Sequence, residues 1–141
     1  MSEVVARVAG MDLLTVAAVC FRDEAGRVLT VRKRGTDAFM LPGGKLEPGE
    51  APIDCAVREI DEELGVRLTT ADLTHLVSWR GPAANEANTD IESTVFATAL
   101  RVEPRAAAEI AEARWLDPAD HGGVTIAPML AQYLFPRLAG A

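Results

Sequence analysis

Glu59, Glu62 and Glu63 lie within the stretch Gly44 to Val66, GKLEPGEAPIDCAVREIDEELGV, at spacings i, i+3 and i+4. On a 3.6-residue period these three carboxylates share one helical face. Carboxylates gathered in one turn repel each other and raise each other's pKa values. Two arrangements relieve that repulsion. Water screens the charges of a solvated acidic face, or a hard divalent cation takes the oxygens as ligands, as Mg²⁺ and Mn²⁺ do at carboxylate-rich sites.

The residues around the glutamates must position them. Pro52 suits the first turn of a helix and Gly65 the residue that ends one, so the sequence predicts a helix over about 51–64. Ile53, Val57, Ile60 and Leu64 form an apolar stripe beside the acidic face, and Asp61 points away toward solvent. Such a helix buries one side and aims carboxylates from its edge. The preceding Phe39-Met40-Leu41-Pro42-Gly43-Gly44-Lys45 carries paired glycines that permit close backbone approach.

The whole segment follows the pattern G-x5-E-x7-R-E-U-x-E-E-x-G-U, U being aliphatic, at Gly44, Glu50, Arg58, Glu59, Ile60, Glu62, Glu63, Gly65 and Val66. Average composition would not produce so many fixed positions by chance. The segment resembles the Nudix box, and the chain resembles a Nudix hydrolase more loosely over about residues 13 to 135. The resemblance implies an α/β fold, a Nudix-type α/β/α sandwich with a mixed β-sheet. It implies hydrolysis of a nucleoside diphosphate linked to another moiety X at its pyrophosphate, with Mg²⁺ as cofactor and Mn²⁺ as the alternative. Candidate substrates are nucleoside triphosphates, oxidised nucleotides and ADP-ribose-like compounds. A nucleotide-sensing module of the same fold that does not cut its ligand is the rival reading.

By that resemblance, Glu59, Glu62 and Glu63 are the metal cluster, joined by a backbone carbonyl of Gly43 or Gly44. Glu59 or Glu62 takes the proton from the attacking water. Arg58 orients a glutamate by ion pairing, and Glu50 braces the loop and approaches the metal shell. A further carboxylate is expected from Glu103, at the end of a long strand, or from Glu92. Arg32 and Lys45 stand where the family meets phosphate oxygens; an exposed loop lysine is the plainer reading of Lys45. Pro82 lies where ADP-ribose-cleaving members carry a proline, and a Gly-Pro turn accounts for it equally well.

The 141 residues suit one domain, 1–141, and at 49% hydrophobic they can bury a core. The net charge of −7 argues against a nucleic-acid polymer, which would want a basic stripe. The expected partner is a small nucleotide, with a homodimer as the family's common assembly. Cys20 and Cys55 have no metal-site spacing and read as buried free thiols. Residues 13–21 are too short an apolar run to span a bilayer, and Glu3 and Asp12 break the basic region a signal would need. They read as a buried strand of a cytoplasmic protein.

Strands are expected at 13–22 and 27–34, joined as a hairpin by Asp23–Gly26, and then at 73–80 and 91–102; residues 106–113 are alanine- and glutamate-rich enough for a helix, while the family resemblance implies a strand at 110–116. In the second, alternation puts Val28, Thr30, Arg32 and Arg34 on one face, and Leu29, Val31 and Lys33 on the other. Residues 81–89 read as a polar loop. A last helix runs from Thr125, with Pro128 in its first turn, to about Phe135. His75 reads as structural and Trp79 as core. The elements together imply a mixed sheet with helices on both faces.

Overall fold

The computed structural model describes the backbone of residues 6–8 and 11–140. Before Met11 the described element is β1, Ala6–Val8, and Glu3 lies outside the described residues. β2, Met11–Cys20, is the central strand. On one edge it pairs in parallel with β6, Thr89–Ala97, and on the other it pairs antiparallel with β1 and with the short β4, Gly43–Lys45. β5, Thr74–Pro82, lies antiparallel beyond β6. A second, two-stranded sheet joins β3, Val28–Lys33, to β7, Ile110–Leu116.

Helix α1, Pro52–Leu64, covers one face. It begins with Pro52 and ends at Gly65, whose left-handed φ of 65° lets its N–H reach the Asp61 carbonyl. Ile60, Leu64, Cys55 and Ala56 pack from it onto Ala17 and Val19 of β2. The alternate residues, Ala18 and Cys20, face a second cluster with Met129, Leu130, Leu134 and Phe135 from the C-terminal helix. That helix holds a π-helical turn at Leu130–Leu134, followed by α2, Phe135–Ala139. One strand with period-two alternation therefore serves two cores. Both thiols are free and buried. Among the described residues, no helix is long and apolar enough to cross a membrane.

Four local expectations need correction. The Asp23–Gly26 turn forms, with Asp23 N–H donating to the Arg27 carbonyl at 3.0 Å, but the strands it joins part into different sheets. Both edges of β2 are already taken; β3 is buried on both faces, with Leu29 and Val31 toward the α1 cluster and Val28 toward the second, as its alternation placed them. β5 runs through Gly81 and Pro82, because an edge strand tolerates proline, and the loop shrinks to 83–88. β6 stops at Ala97. The chain beyond it closes on the end of α1, where Ala107 N–H donates to the Glu63 carbonyl at 2.9 Å and Arg105 N–H to the Leu64 carbonyl at 3.1 Å. Those carbonyls have no partner inside the helix, which explains why the segment leaves the sheet. The last helix begins near Pro128; Thr125 instead runs beside Phe39, whose N–H its carbonyl accepts at 2.9 Å.

Ile60 is fully buried between α1 and β2. Ile60→Ala should cost about 2–5 kcal/mol, seen as a lower urea midpoint with little change in slope. Asp61→Ala, one residue along on the exposed face, should shift stability by less than about 0.5 kcal/mol.

Candidate active site

The segment from Gly43 to Glu50 lies against α1, and Arg58 ties the two together. Its Nε and Nη2 donate to the two Glu50 oxygens, each at 2.8 Å. Nη1 donates to Glu59 Oε2 at 2.7 Å, and Nη2 also reaches the Lys45 carbonyl at 3.1 Å. This fork holds the Glu50 carboxyl down at about 2 and raises the guanidinium's own pKa. Arg58 therefore fixes both a loop carboxylate and a helix carboxylate, as an orienting residue would.

Glu59 and Glu63 point under the paired glycines. A side-chain carbon on Gly44 would fall on the Glu59 carboxylate, and one on Gly43 would fall on the backbone of Ala17. Only glycine permits that approach. Gly43 N–H donates to Glu63 Oε1 at 3.0 Å, while Glu63 Oε2 has no partner although the residue is only 2% exposed. Burial pushes the Glu63 carboxyl up to about 8, against the pull of Gly43 N–H and of Lys33. Burial raises Glu59 too, opposed by its hydrogen bond from Arg58.

These features fit a divalent cation. A buried carboxylate oxygen without a hydrogen bond calls for a proton or a positive ion, and both candidate carboxylates are hard donors. Among the described residues, no three carboxylate, histidine or cysteine side chains converge on one point. Glu62 is the outlier of its trio, its side chain 56% exposed and 3.6 Å from Arg58. Mg²⁺ does not need a complete protein cage, because it commonly uses one or two carboxylates together with water and substrate phosphates.

Two cavities meet here. A polar cleft of about 560 Å³ is lined by Glu59, Arg58, Glu47, Lys33, Arg34 and Glu109, among others. An apolar chamber of about 240 Å³ lies between the β2–β6 face and the C-terminal helix, walled by Leu14, Val16, Met40, Ile91 and Met129. Lys33, Thr36, Gly44, Lys45 and Glu86 line both and form the junction. Lys45 Nζ stands 3.7 Å from Glu86 there.

The remaining sequence candidates lie elsewhere. Arg32 lines neither cavity; it donates to the Thr36 carbonyl at 3.0 Å and lies over the Phe39 ring. Lys33 takes the place expected of Arg32, 3.3 Å from Glu109 and within the field of Glu59 and Glu63. The pairing skips Ala111 of β7 between Arg32 and Lys33, so β3 keeps its alternation and Lys33 lies on the face that Leu29 and Val31 turn toward α1. Glu103 is exposed on the irregular segment after β6 and lines neither cavity, so it does not end a strand at the site. Glu92 is exposed on β6 and lines neither. The carboxylates beyond the helix that reach the cleft are Glu86 and Glu109. His75 is exposed and bonded to Ser78 at 3.0 Å, and Trp79 packs against the second core, as expected. Pro82 lines the apolar chamber at the end of β5.

Comparison with known proteins agrees with this geometry. The NUDIX domain family matches residues 11–135. A MutT-like protein of Streptomyces ambofaciens is 32% identical over 136 residues, covering 87% of each chain. An 8-oxo-dGTP diphosphatase of Haemophilus influenzae is 38% identical over 65 residues, 43% of this chain and 48% of that one. In fold, the E. coli dihydroneopterin triphosphate pyrophosphohydrolase is similar at a TM-score of 0.70 and 20% identity, over 90% of this chain and 96% of that one. With its glutamate-bearing helix set under a paired-glycine loop, and with the domain match spanning both, the chain belongs to the Nudix hydrolases, a family of pyrophosphohydrolases.

Proposed function

We propose that the chain hydrolyses the pyrophosphate bond of a nucleoside diphosphate linked to another group, a nucleoside triphosphate or an ADP-ribose-like compound, with its phosphate chain in the polar cleft. The observation that carries this reading is the junction of an apolar chamber with a carboxylate- and cation-lined cleft at Gly44, Lys45 and Lys33. An amphipathic ligand with a flat apolar end and an anionic end spans both. Relatives that act on 8-oxo-dGTP and on RNA pyrophosphate ends support a nucleotide substrate.

Nudix hydrolases generally need a divalent metal ion. In this chain Glu59 and Glu63 would hold it, with Glu62 and the Gly44 carbonyl completing the protein's share; Mg²⁺ is the proposed ion and Mn²⁺ the substitute. When bound, such an ion neutralises phosphoryl charge and acidifies water. The chain's own residues do the rest. Arg58 keeps Glu59 fixed, which removes the entropy of orienting it during reaction. Gly43 N–H keeps Glu63 turned inward. Lys33 and Lys45 attract phosphate oxygens at the junction, and the apolar chamber excludes water from the other end. Glu59, whose pKa burial has raised, takes the proton from the attacking water more effectively than exposed Glu62.

The test is a Mg²⁺-dependent hydrolysis screen over nucleoside triphosphates, oxidised nucleotides, ADP-ribose, dinucleoside polyphosphates and nucleotide sugars. Glu59→Gln and Glu63→Gln should each lower kcat by about 10²-fold or more with circular dichroism unchanged. Glu92→Gln, on the exposed strand face, should stay near wild type. Near-normal turnover in both site mutants would overturn the assignment.

Stability without metal should carry the signature of Glu63. Its carboxyl keeps a proton to about pH 8 in the folded chain and loses it near the ordinary 4.5 when unfolded. The stabilisation is thus complete below pH 4.5 and is lost as pH rises through 8. In chelator, the wild-type melting temperature should fall from pH 5 to pH 8.5 more steeply than that of Glu63→Gln. Adding Mg²⁺ at pH 8.5 should raise the wild-type value by mass action and leave the mutant's nearly unmoved.

A further inference from the structure

The chamber beside the cleft is walled mainly by apolar side chains; Asn85 also lines it but is exposed, and among the described residues Ser93 is the buried polar one of the lining. Ser93 is 2% exposed. On β6 it shares a face with Ile91 and Val95, and strand pairing sets it between Val16 of β2 and Trp79 of β5. Buried hydroxyls normally find a partner in the protein. Thr30 donates to the Arg114 carbonyl at 2.8 Å and Thr89 to the Ala87 carbonyl at 2.9 Å. The Ser93 hydroxyl makes no such bond among the described residues. Directly opposite, the C-terminal helix opens its π-helical turn at Leu130, a chamber residue. Such turns accompany binding sites more often than plain helix does.

Resting on the reading that the nucleoside enters this chamber, we propose that Ser93 is the residue that meets a polar group on the inward edge of the base. The apolar remainder then selects against bases with more polar atoms on that edge, since each one buried unpaired weakens binding by about tenfold or more. Adenine, whose pairing edge carries an amino group, one ring nitrogen and a C–H, fits best. Guanine, whose edge carries a carbonyl, a ring N–H and an amino group side by side, fits worst. This order runs against simple transfer of substrate from the 8-oxo-dGTP diphosphatase relative.

The test is calorimetric titration of the full chain, in chelator, with AMP, GMP, CMP, UMP and the base-free control ribose 5-phosphate. AMP should bind tightest and GMP about tenfold or more weaker. Ser93→Ala should weaken binding of all four monophosphates by about tenfold while AMP stays tightest, with ribose 5-phosphate binding unchanged. Ser93→Thr, which keeps the hydroxyl, should preserve the order and serves as the folded control if Ser93→Ala is unstable. Three results would overturn the proposal: GMP binding tightest, wild-type affinities surviving in Ser93→Ala, or no base improving on ribose 5-phosphate. Failure of the hydrolase reading looks different, as absent metal-dependent turnover in wild-type protein that still ranks the four monophosphates.

Discussion

Arg58 occupies the point at which loop and helix become one unit. Its guanidinium bonds Glu50, Glu59 and the Lys45 carbonyl together, so the strand-loop segment that passes over α1 cannot slide along it. The planar fork matters, because a lysine would offer one point charge where three acceptors need separate donors. Without that clamp, the acidic face of α1 would have no reason to gather its carboxylates inward. Repulsion would turn them to water, as it turns Glu62 now.

The clamp works only because the glycines allow it. Gly43 lies on the backbone of Ala17 and Gly44 on the Glu59 carboxylate, at distances that no side chain permits. Central strand β2 in turn offers small residues, Ala17 and Ala18, where β4 pairs with it. The buried Glu63 is the cost of this arrangement. One oxygen is bonded to Gly43 N–H, the other is left open, and a raised pKa follows. A stable core elsewhere has to offset that burial, and the two apolar clusters on either side of β2 do so.

The cleft and the chamber divide the work by chemistry. Charge, desolvated carboxylates and lysines lie on the α1 side of the junction; apolar walls lie on the C-terminal helix side. Lys33 reaches the junction because it lies on the face of β3 that Leu29 and Val31 turn toward α1. A substrate's two ends are thereby met by different elements. Changes on the C-terminal helix can retune one end without touching the glutamates.

Local signals settled what is local. Helix α1, its proline start and glycine stop and the apolar stripe all follow from spacings within one or two turns, and the pattern around them placed the family. The fold class followed too, since β2, β5, β6 and α1 each stand close to where the residues predicted them, and β7 where the resemblance implied it. What tertiary structure alone decided involves residues far apart in the chain. Sequence alternation put Lys33 opposite Arg32, but only the packing of the Leu29 and Val31 face against α1 decided that Lys33 meets the glutamates. The expected strand end at Glu103 was lost because the carbonyls of α1 captured the segment around Arg105 and Ala107. Glu109 and Ser93 gained their places through neighbours on other strands. A period of two or 3.6 reports which way a side chain faces, but the partners it meets depend on which strand edges remain free.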